Sequence, residues 1–359
     1  MRSELSSAKA LQELRDMAPL NGAFLVTSAS DIRYFLRFYS SGVVLLVPRK
    51  GRAVCFIDSM NRSLAKNKLK GSGVEVVSGN IPVPDIVAER VIEMNICELF
   101  LDEGKISAAF YRRIKKRLDR IKLRSVLCSR SVRDILMSMR AVKSASEISL
   151  LRFASGETVK IWRKVSRRIK PGMTEIEIAR MVDVLVRRSG YENAFPTIAA
   201  AGINSAYPHA IPTDKKLGRK EHLVVDFGIR HKFYCSDLTR IWGECRMNGQ
   251  IRDLCENVRD IQKEAIGYIG PGVSIKQTVQ RVHELFIERG LGKFVMHGLG
   301  HGIGLDVHEG PFLRAASADN FEKGMVLTVE PGLYIEGKGG ARIEDMVLVT
   351  SKGREVLTV

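Results

Sequence analysis

Short apolar runs alternate with helical periodicity over the first 140 or so residues. Runs rich in β-branched side chains predict strands, while apolar positions at helical spacing, as at Leu11 and Leu14, predict helices before and between them. This alternation is typical of an α/β domain. No phosphate-binding loop and no combination of acid, base and nucleophile accompanies it. The predicted strands are GAFLVT (22–27), GVVLLVP (42–48), RAVCFID (52–58), VEVVS (74–78) and ELFLDE (98–103).

Four longer helices are predicted between residues 144 and 290. Ser144, followed three residues later by Glu147, has the pattern of a capping box and indicates a domain entrance near residue 144. Thr174 is a plausible N-cap, and Gly190 ends the helix that it starts. The order helix, Pro-Gly, helix occurs twice, which predicts an internal repeat. The helical segments are 144–169, 174–190, about 251–268 and about 274–290.

Strand patterns dominate the remaining C-terminal segments. Helices followed or interrupted by such strands predict an α+β domain. We therefore expect a smaller α/β domain over residues 1–143 and an α+β domain over residues 144–359. The strand-like segments are HLVVDFGI (222–229), FYCSDLTRIW (233–242), GMVLTVEPGLYI (324–335) and ARIEDMVLVTS (341–351).

Two acidic residues interrupt the apolar pattern of the first two of these segments. A tight turn at His231 and Lys232 would place Asp226 directly opposite Asp237, with Cβ atoms about 5 Å apart. The turn residues are not of the favoured Asn-Gly type, and the alternative is that one acid faces solvent. Ionised carboxylates that face each other need a cation or a shared proton. The pair therefore indicates a site for one or the other.

Glu330 and Glu344 repeat this anomaly in the last two segments, on either side of a glycine-rich turn. Four carboxylates from four strands, together with a histidine, would form a site lined mostly by oxygen. Such a ligand set suits divalent Mn, Co, Fe or Zn and differs from a thiolate site. Acids shared between two ions suggest a dinuclear centre.

The net charge of +17 is concentrated in one part of the chain. Residues 105–170 contain 20 Lys and Arg against 4 Asp and Glu. Within them, Ile114, Leu118 and Ile121 recur at helical spacing, so the basic side chains would cover the solvated face of an amphipathic helix. A nucleic-acid partner is the alternative, but no aromatic-interleaved or zinc-finger pattern supports it.

Cysteine usage and hydropathy indicate a cytoplasmic protein. The six cysteines include no CxxC pair and are interpreted as buried free thiols in a reducing compartment. The N-terminal segment lacks the apolar region of a secretory signal. No stretch approaches the roughly 18 uncharged apolar residues that a membrane span needs.

Five motifs occur in an order and spacing that resemble one enzyme group. The sequence resembles the prolidase and aminopeptidase P group of the "pita-bread" metallopeptidases, which also include methionine aminopeptidase and creatinase. The resemblance implies a pita-bread catalytic domain preceded by a creatinase-type N-terminal domain, and it is looser in the first 143 residues. The motifs are PHAIP (208–212), VVDFG (224–228) with Asp237 eleven residues after Asp226, GHGIGLDVHEGP (300–311), VEPGLY (329–334) and ARIED (341–345).

The resemblance also implies a role for individual residues. The residues that match Asp237 and Glu344 bridge two divalent metal ions, with Mn or Co favoured and Zn or Fe as alternatives. Glu330 would also be the general base. His209 and His308 would orient substrate and stabilise the tetrahedral intermediate, while His297 and Arg342 would bind substrate or organise the site. The implied metal ligands are Asp226, Asp237, His301, Glu330 and Glu344.

Several functions are compatible with this fold. EPG at residues 330–332 and Arg342 disfavour a methionine aminopeptidase, and creatinase lacks the ligands present here. Prolidase, which cleaves Xaa-Pro dipeptides, is favoured by the short chain; the alternative is aminopeptidase P, which acts on longer peptides. A non-catalytic binding protein is the remote alternative. A homodimer is expected from the resemblance, although Arg37 and DSMN (58–61) depart from the family's usual Gly and DSRY.

Overall fold

A computed structural model describes residues 7–119, 125–128, 130–243 and 249–359. The chain divides into two compact units, residues 1–140 and 141–359. Leu5 of the predicted N-terminal helix, Ile121 of the predicted basic helix, and Cys245 lie outside the described residues. No helix in the described ranges combines the length and the apolarity that crossing a membrane requires.

The first unit contains a mixed six-stranded sheet with the strand order β4-β3-β2-β1-β5-β6. Strand β1 is antiparallel to β2 and parallel to β5. All five strands expected from the apolar runs are present, which confirms the α/β prediction. Its elements are α1 (Ser7–Met17), β1 (Gly22–Val26), α2 (Ala29–Leu36), β2 (Val44–Pro48), β3 (Val54–Phe56), α3 (Arg62–Lys68), β4 (Glu75–Val77), α4 (Val83–Glu93), β5 (Glu98–Leu101), α5 (Ala108–Asp119), β6 (Ser125–Cys128) and α6 (Arg130–Ala141).

The basic helix α5 is amphipathic, as the sequence predicts. Ile114 and Leu118 are fully buried and pack in the core of the first unit. On the outer face, Arg113 and Arg117 both bond to the buried Asp85. The Arg113 guanidinium holds the pKa of the Asp85 carboxyl below its usual value. Part of the basic charge is therefore neutralised within the unit.

Helix α2 ends in a left-handed residue. Ser28 caps its N-terminus by accepting a hydrogen bond from the backbone N–H of Asp31. At the other end, Arg37 has φ 53° and ψ 20°, and its N–H donates to the carbonyl of Arg33. Glycine is the usual residue in this conformation because it has no Cβ. The backbone at position 37 thus has a conformation that suits glycine better than arginine.

Within its described residues, the second unit combines four long helices with four small sheets, ordered β12-β9-β8, β11-β10-β7, β14-β13-β15-β18-β19 and β16-β17. This architecture confirms the α+β prediction. Its elements are α7 (Ala145–Ser166), α8 (Glu175–Arg188), β7 (Glu192–Asn193), β8 (Ile198–Ala201), β9 (Leu223–Phe227), β10 (Ile229–His231), β11 (Tyr234–Cys235), β12 (Leu238–Trp242), α9 (Gln250–Tyr268), α10 (Ile275–Glu288), β13 (Gly300–Gly302), β14 (Glu309–Leu313), β15 (Val326–Val329), β16 (Gly332–Ile335), β17 (Gly339–Arg342), β18 (Asp345–Thr350) and β19 (Gly353–Val356).

Capping boxes start the first two helices of this unit. Ser144 accepts from the backbone N–H of Glu147, whose carboxylate accepts from the backbone N–H of Ser144 in return. Thr174 and Glu177 form the same reciprocal pair at the start of α8. These bonds satisfy backbone donors that lack a partner inside the helix.

The two helix pairs make equivalent backbone contacts, as an internal repeat predicts. Gly172 donates to the carbonyl of Leu217, and Gly272 donates to the carbonyl of Phe321, each across 2.8 Å. Thr174 and Ser274 form corresponding isolated bridges. Asp226 lies nine residues after Leu217, and Glu330 lies nine residues after Phe321. The repeat therefore places Asp226 and Glu330 at equivalent positions in its two halves.

The expected pairing of Asp226 with Asp237 is wrong. Strands β9 and β12 pair with Asp226 opposite Thr239. The turn lies at Lys232 and Phe233, which have φ 45° and 75°, so the hairpin is shifted by one residue from the expected turn at His231 and Lys232. Two positive φ values give the type I′ geometry that matches strand twist.

Candidate functional site

Three of the five predicted metal ligands lie at breaks between strands. Asp226 lies within β9 and His301 within β13, but Asp237 lies between β11 and β12. Glu330 separates β15 from β16, and Glu344 separates β17 from β18. The expectation that all four acids lie inside strands is therefore wrong for three of them. At these breaks the chain changes sheets, so the side chains leave the regular alternation and converge.

The side chains of the five predicted metal ligands are buried to different degrees and lie close together. Ligand atoms of Asp237, His301 and Glu344 all lie within 4.8 Å of one another. His301 Nε2 is 3.3 Å from Glu330 Oε1 and 4.0 Å from Asp237 Oδ2. The structure thus brings a histidine and three carboxylates to one point, with Asp226 beside them on β9.

The chemistry of these residues fits divalent cations. Asp226 Oδ1 and Asp237 Oδ1 are buried and have no hydrogen-bond partner among the described residues. Burial, and then the charges of Glu344 and Asp226, raise the pKa of Asp237 well above its usual value. Burial likewise raises the pKa of Glu344, and that of Glu330 to about 7. Arg342 supplies one positive charge against these four carboxylates. So many gathered acids are unfavourable with so little counter-charge, and divalent cations would supply the rest.

His301 has the protonation state that a metal ligand needs. Burial, reinforced by nearby His308, lowers its pKa to about 4, so the imidazole is neutral at pH 7. Its Nδ1 lies 3.1 Å from the carbonyl oxygen of Gly302, which favours a proton on Nδ1 and leaves the Nε2 lone pair facing the carboxylates. Such a second hydrogen bond is typical of metal-ligating histidines.

Residues around the acids hold them in place. Thr239 Oγ1 donates to Glu344 Oε2 across 2.8 Å. Arg342 donates from Nη2 to Asp226 Oδ2 across 2.8 Å and from Nε to Thr239 Oγ1 across 3.2 Å. Arg342 thus contacts Asp226 directly and is linked to Glu344 through Thr239.

Tyr334 links Arg342 to a histidine that faces the cavity. Its hydroxyl oxygen accepts from Arg342 Nη1 across 2.9 Å and lies 2.7 Å from His297 Nε2. Burial raises the pKa of Tyr334 to about 12. Sequence reasoning did not single out Tyr334 or Thr239. The signal was present for Tyr334 in the motif VEPGLY, but Thr239 is apparent only from the register of β9 and β12.

A cavity of about 550 Å³ opens beside the acids. His209, His297 and His308 line it together with all five predicted ligands. The rings of His301 and His308 lie edge to face, with centroids 4.3 Å apart. The volume suits a small ligand such as a short peptide. The apolar part of the lining consists of Phe195, Pro196, Ile198, Pro208, Ala210, Ile211, Pro212, Val307, Phe312 and Leu313.

One exposed cation belongs to the same lining. The guanidinium of Arg314 lies over the ring of Phe312, with Cζ 5.0 Å from the ring centroid. Both side chains line the cavity. Stacking on an aromatic face orients a guanidinium and leaves its N–H groups available for an anion.

A buried group of carboxylates and a histidine, next to a peptide-sized cavity, defines a metal-dependent hydrolase. Residues 149–351 match metallopeptidase family M24, and residues 9–141 match the creatinase/prolidase N-terminal domain. The chain belongs to metallopeptidase family M24, which confirms the relationship inferred from the five motifs.

Known proteins are similar to this chain along most of its length. The Xaa-Pro dipeptidase of Pyrococcus horikoshii is 36% identical over 230 residues, which cover 64% of this chain and 66% of that protein. The structure of Xaa-Pro dipeptidase from Bacillus anthracis has a TM-score of 0.88 and 29% identity, covering 98% of this chain and 96% of that one. X-Pro aminopeptidase from Thermotoga maritima has a TM-score of 0.83 and 31% identity, covering 94% and 95%.

Proposed function

We propose that this protein is a dinuclear-metal-dependent Xaa-Pro dipeptidase. The observation that carries the choice of a dipeptidase is Arg314, a cation oriented on Phe312 in the lining of the cavity. A dipeptide such as Ala-Pro presents its carboxylate only one residue beyond the scissile bond. A guanidinium oriented in the cavity lining would recognise that carboxylate, whereas a longer peptide has a neutral amide at the same place.

The metal ions would be held by Asp226, Asp237, His301, Glu330 and Glu344, with Mn or Co favoured. When bound, they supply a lowered pKa for water and polarisation of the peptide carbonyl. Asp237 and Glu344 are the most deeply buried acids of the group, at 4% and 2% exposed, which supports assigning them as ligands. The catalytic domain spans residues 144–359, after an N-terminal domain of residues 1–143.

The remaining side chains would carry the proton transfers and orient the peptide. Glu330 is the proposed general base, because its side chain lines the cavity and, at 18%, is the most exposed of the four acids. His209 and His308 would donate N–H bonds to the carbonyl oxygen as negative charge develops on it. Burial lowers the pKa of His308. Its neutral ring therefore carries one N–H group, which can donate one hydrogen bond. His297 would contact the substrate from the Tyr334 side.

Aminopeptidase P activity is the second candidate. It is favoured by the similarity to the X-Pro aminopeptidase of Thermotoga maritima, and the cavity has room for more than two residues. The two activities differ in whether the free carboxylate of proline is required.

Parallel assays with Ala-Pro, Ala-Pro-amide and Ala-Pro-Ala, each with added Mn or Co, test the proposal. A dipeptidase cleaves Ala-Pro and discriminates strongly against the other two. Exclusive cleavage of Ala-Pro-Ala would assign aminopeptidase P activity instead. A protein that binds neither metal and cleaves none of the three would instead be a non-catalytic binding protein.

A cytoplasmic homodimer completes the proposal. Cys55, Cys235 and Cys255 are buried free thiols, which suits a reducing compartment. The dimer rests on the family resemblance and is tested by sedimentation. A nucleic-acid partner is not proposed, because Asp85 pairs with two arginines of the basic helix α5.

A further inference from the structure

We infer that a buried ion pair between Lys143 and Glu309 positions the loop that carries His308. Lys143 Nζ lies 3.0 Å from Glu309 Oε1, and the two side chains are 1% and 4% exposed. Lys143 itself is anchored, because Nζ donates to the carbonyl of Ala141 and its backbone N–H donates to the carbonyl of Gly324. The lysine is therefore a fixed point against which the glutamate is held.

The Glu309 carboxylate lies inside the loop that it terminates. Its Oε2 accepts from the backbone N–H of Asp306 across 3.2 Å. At Gly304, a Cβ would lie only 2.4 Å from Glu309 Oε1, so the backbone of the loop closes around the carboxylate. Glu309 thus contacts both the middle and the start of the loop, while Lys143 fixes its position.

The loop needs such an anchor because it has no regular structure. Residues 303–308 connect β13 to β14 and form neither a helix nor a strand. The backbone N–H of Cys235 donates to the carbonyl of Gly304 across 2.7 Å, which ties the loop to the segment before Asp237. His308 is the last residue of the loop and precedes Glu309 directly. The position of its ring against His301 therefore depends on the loop backbone.

Stability alone is a poor explanation for this pair. Two ions withdrawn from water lose hydration that their mutual attraction barely offsets, and a well-packed apolar pair is often as stable. A buried ion pair does, however, restrict geometry, since the Glu309 carboxylate must meet the Lys143 ammonium and the backbone N–H of Asp306 together. Lys143 and Glu309 are thus positioning residues that act through His308, and this role rests on the proposed peptidase function.

Hydrogen exchange of the loop tests the inference without using activity. In Lys143→Met, amides of residues 303–309 should exchange about tenfold faster, because the loop opens locally, while those of α8 keep their rate. The double variant Lys143→Met/Glu309→Gln contains no uncompensated buried charge, so it remains a fair test if Lys143→Met does not fold. Wild-type exchange of the loop in the folded variants would overturn the inference.

Kinetics on Ala-Pro provide the second measurement. With metal content per chain equal to that of the wild type, kcat should fall between about 10- and 100-fold in both variants, as misplacement of a catalytic group predicts. KM should change much less. A lower melting temperature with unchanged kcat would reduce the pair to a structural role and overturn the inference.

A matched control separates this effect from the loss of an ion pair in general. Arg152 pairs with Glu355 on the surface of the same unit, so Arg152→Met should change neither loop exchange nor kcat. If the wild-type protein cleaves no Xaa-Pro peptide, the proposed function fails, while the exchange measurement still decides whether the pair holds the loop.

Discussion

Arg342 donates from Nη2 to Oδ2 of Asp226 across 2.8 Å, and both side chains are nearly buried. The same guanidinium donates to Thr239, whose hydroxyl donates to Glu344. One arginine therefore connects two of the five proposed ligands, one directly and one through Thr239. Loss of Arg342 should therefore lower the affinity for metal more than it changes substrate binding.

Replacing Arg342 should weaken metal binding. Arg342→Met leaves Asp226 without its partner, and loss of such a supporting contact typically costs about 10- to 100-fold in metal affinity or activity. Isothermal titration calorimetry with Mn measures the affinity for metal. Arg342→Lys keeps the charge but cannot contact Asp226, Tyr334 and Thr239 together, so it should recover only part of the loss. Full metal affinity with a raised KM alone would assign Arg342 to the substrate instead.

Alanine substitutions of His301 and His308 should distinguish metal binding from catalysis. His301→Ala removes a proposed ligand and should lower metal content and activity together. His308→Ala should keep the metal content and lower kcat about 100- to 1000-fold, the usual cost of one donor to a developing oxyanion. Metal analysis beside kinetics on Ala-Pro distinguishes them. Loss of metal from His308→Ala would contradict its assigned role.

Metal-free protein should lose stability as the pH rises from about 6.5 to 8. The carboxyl pKa is raised to about 7 for Glu330 and well above its usual value for Asp237 and Glu344. Each raised pKa stabilises the folded state fully below the unfolded pKa, and this contribution is lost as the pH rises through the folded pKa. His301, with its pKa lowered to about 4, changes stability in the opposite direction but only below its unfolded pKa of about 6.5. Each proton that the folded state retains contributes a slope of about 1.4 kcal/mol per pH unit.

Thermal unfolding of metal-free and Mn-loaded protein at both pH values measures this effect. Mn should raise the melting temperature more at pH 8, because binding requires ionised carboxylates and stabilises the folded state by mass action. Glu330→Gln removes one titrating acid and should flatten the metal-free profile. A metal-free melting temperature that rises between pH 6.5 and 8 would contradict the prediction.

Arg314 should determine the preference for a free carboxylate. Arg314→Ala removes a charged hydrogen bond worth about 1.5 to 3 kcal/mol, so kcat/KM for Ala-Pro should fall roughly 10- to 100-fold. Cleavage of Ala-Pro-amide should change little. Phe312→Leu removes the ring beneath the guanidinium but keeps an apolar lining. It should therefore lower kcat/KM for Ala-Pro by less than Arg314→Ala does. Equal losses on both substrates would show that Arg314 does not contact the carboxylate.

Glycine at position 37 should stabilise the first unit. Arg37 has a left-handed backbone, which costs an L-residue roughly 1 kcal/mol relative to glycine. Arg37→Ala loses the side chain but keeps the Cβ, so Arg37→Gly should be more stable than Arg37→Ala by about 1 kcal/mol. Chemical denaturation of both variants measures the difference. Equal stabilities would mean that the strain is relieved elsewhere.

Much of the fold was predictable because local signals were strong. The capping boxes at Ser144 and Thr174 start α7 and α8 where the sequence indicated. The hairpin register was not predictable, because Lys232 and Phe233 are not residues that announce a type I′ turn. A one-residue shift of the turn placed Thr239, and not Asp237, opposite Asp226.

The candidate site was predictable from acids in apolar surroundings and from the family motifs. What remained hidden were the contacts that depend on the meeting of distant segments. Arg342 with Asp226, Tyr334 with His297, and Lys143 with Glu309 each join residues through tertiary packing. Sequence patterns report burial and periodicity, whereas such pairs require the register and the strand breaks to be known.

The repeated helix pair has a consequence for how the catalytic unit responds to its metals. Asp226 and Asp237 come from the first half of the repeat, while His301, Glu330 and Glu344 come from the second. A cation held by both sets would be a removable cross-link between two duplicated pieces of one chain. Chelation would therefore lower the cooperativity of unfolding as well as stop turnover, and either half expressed alone would carry only part of the ligand set.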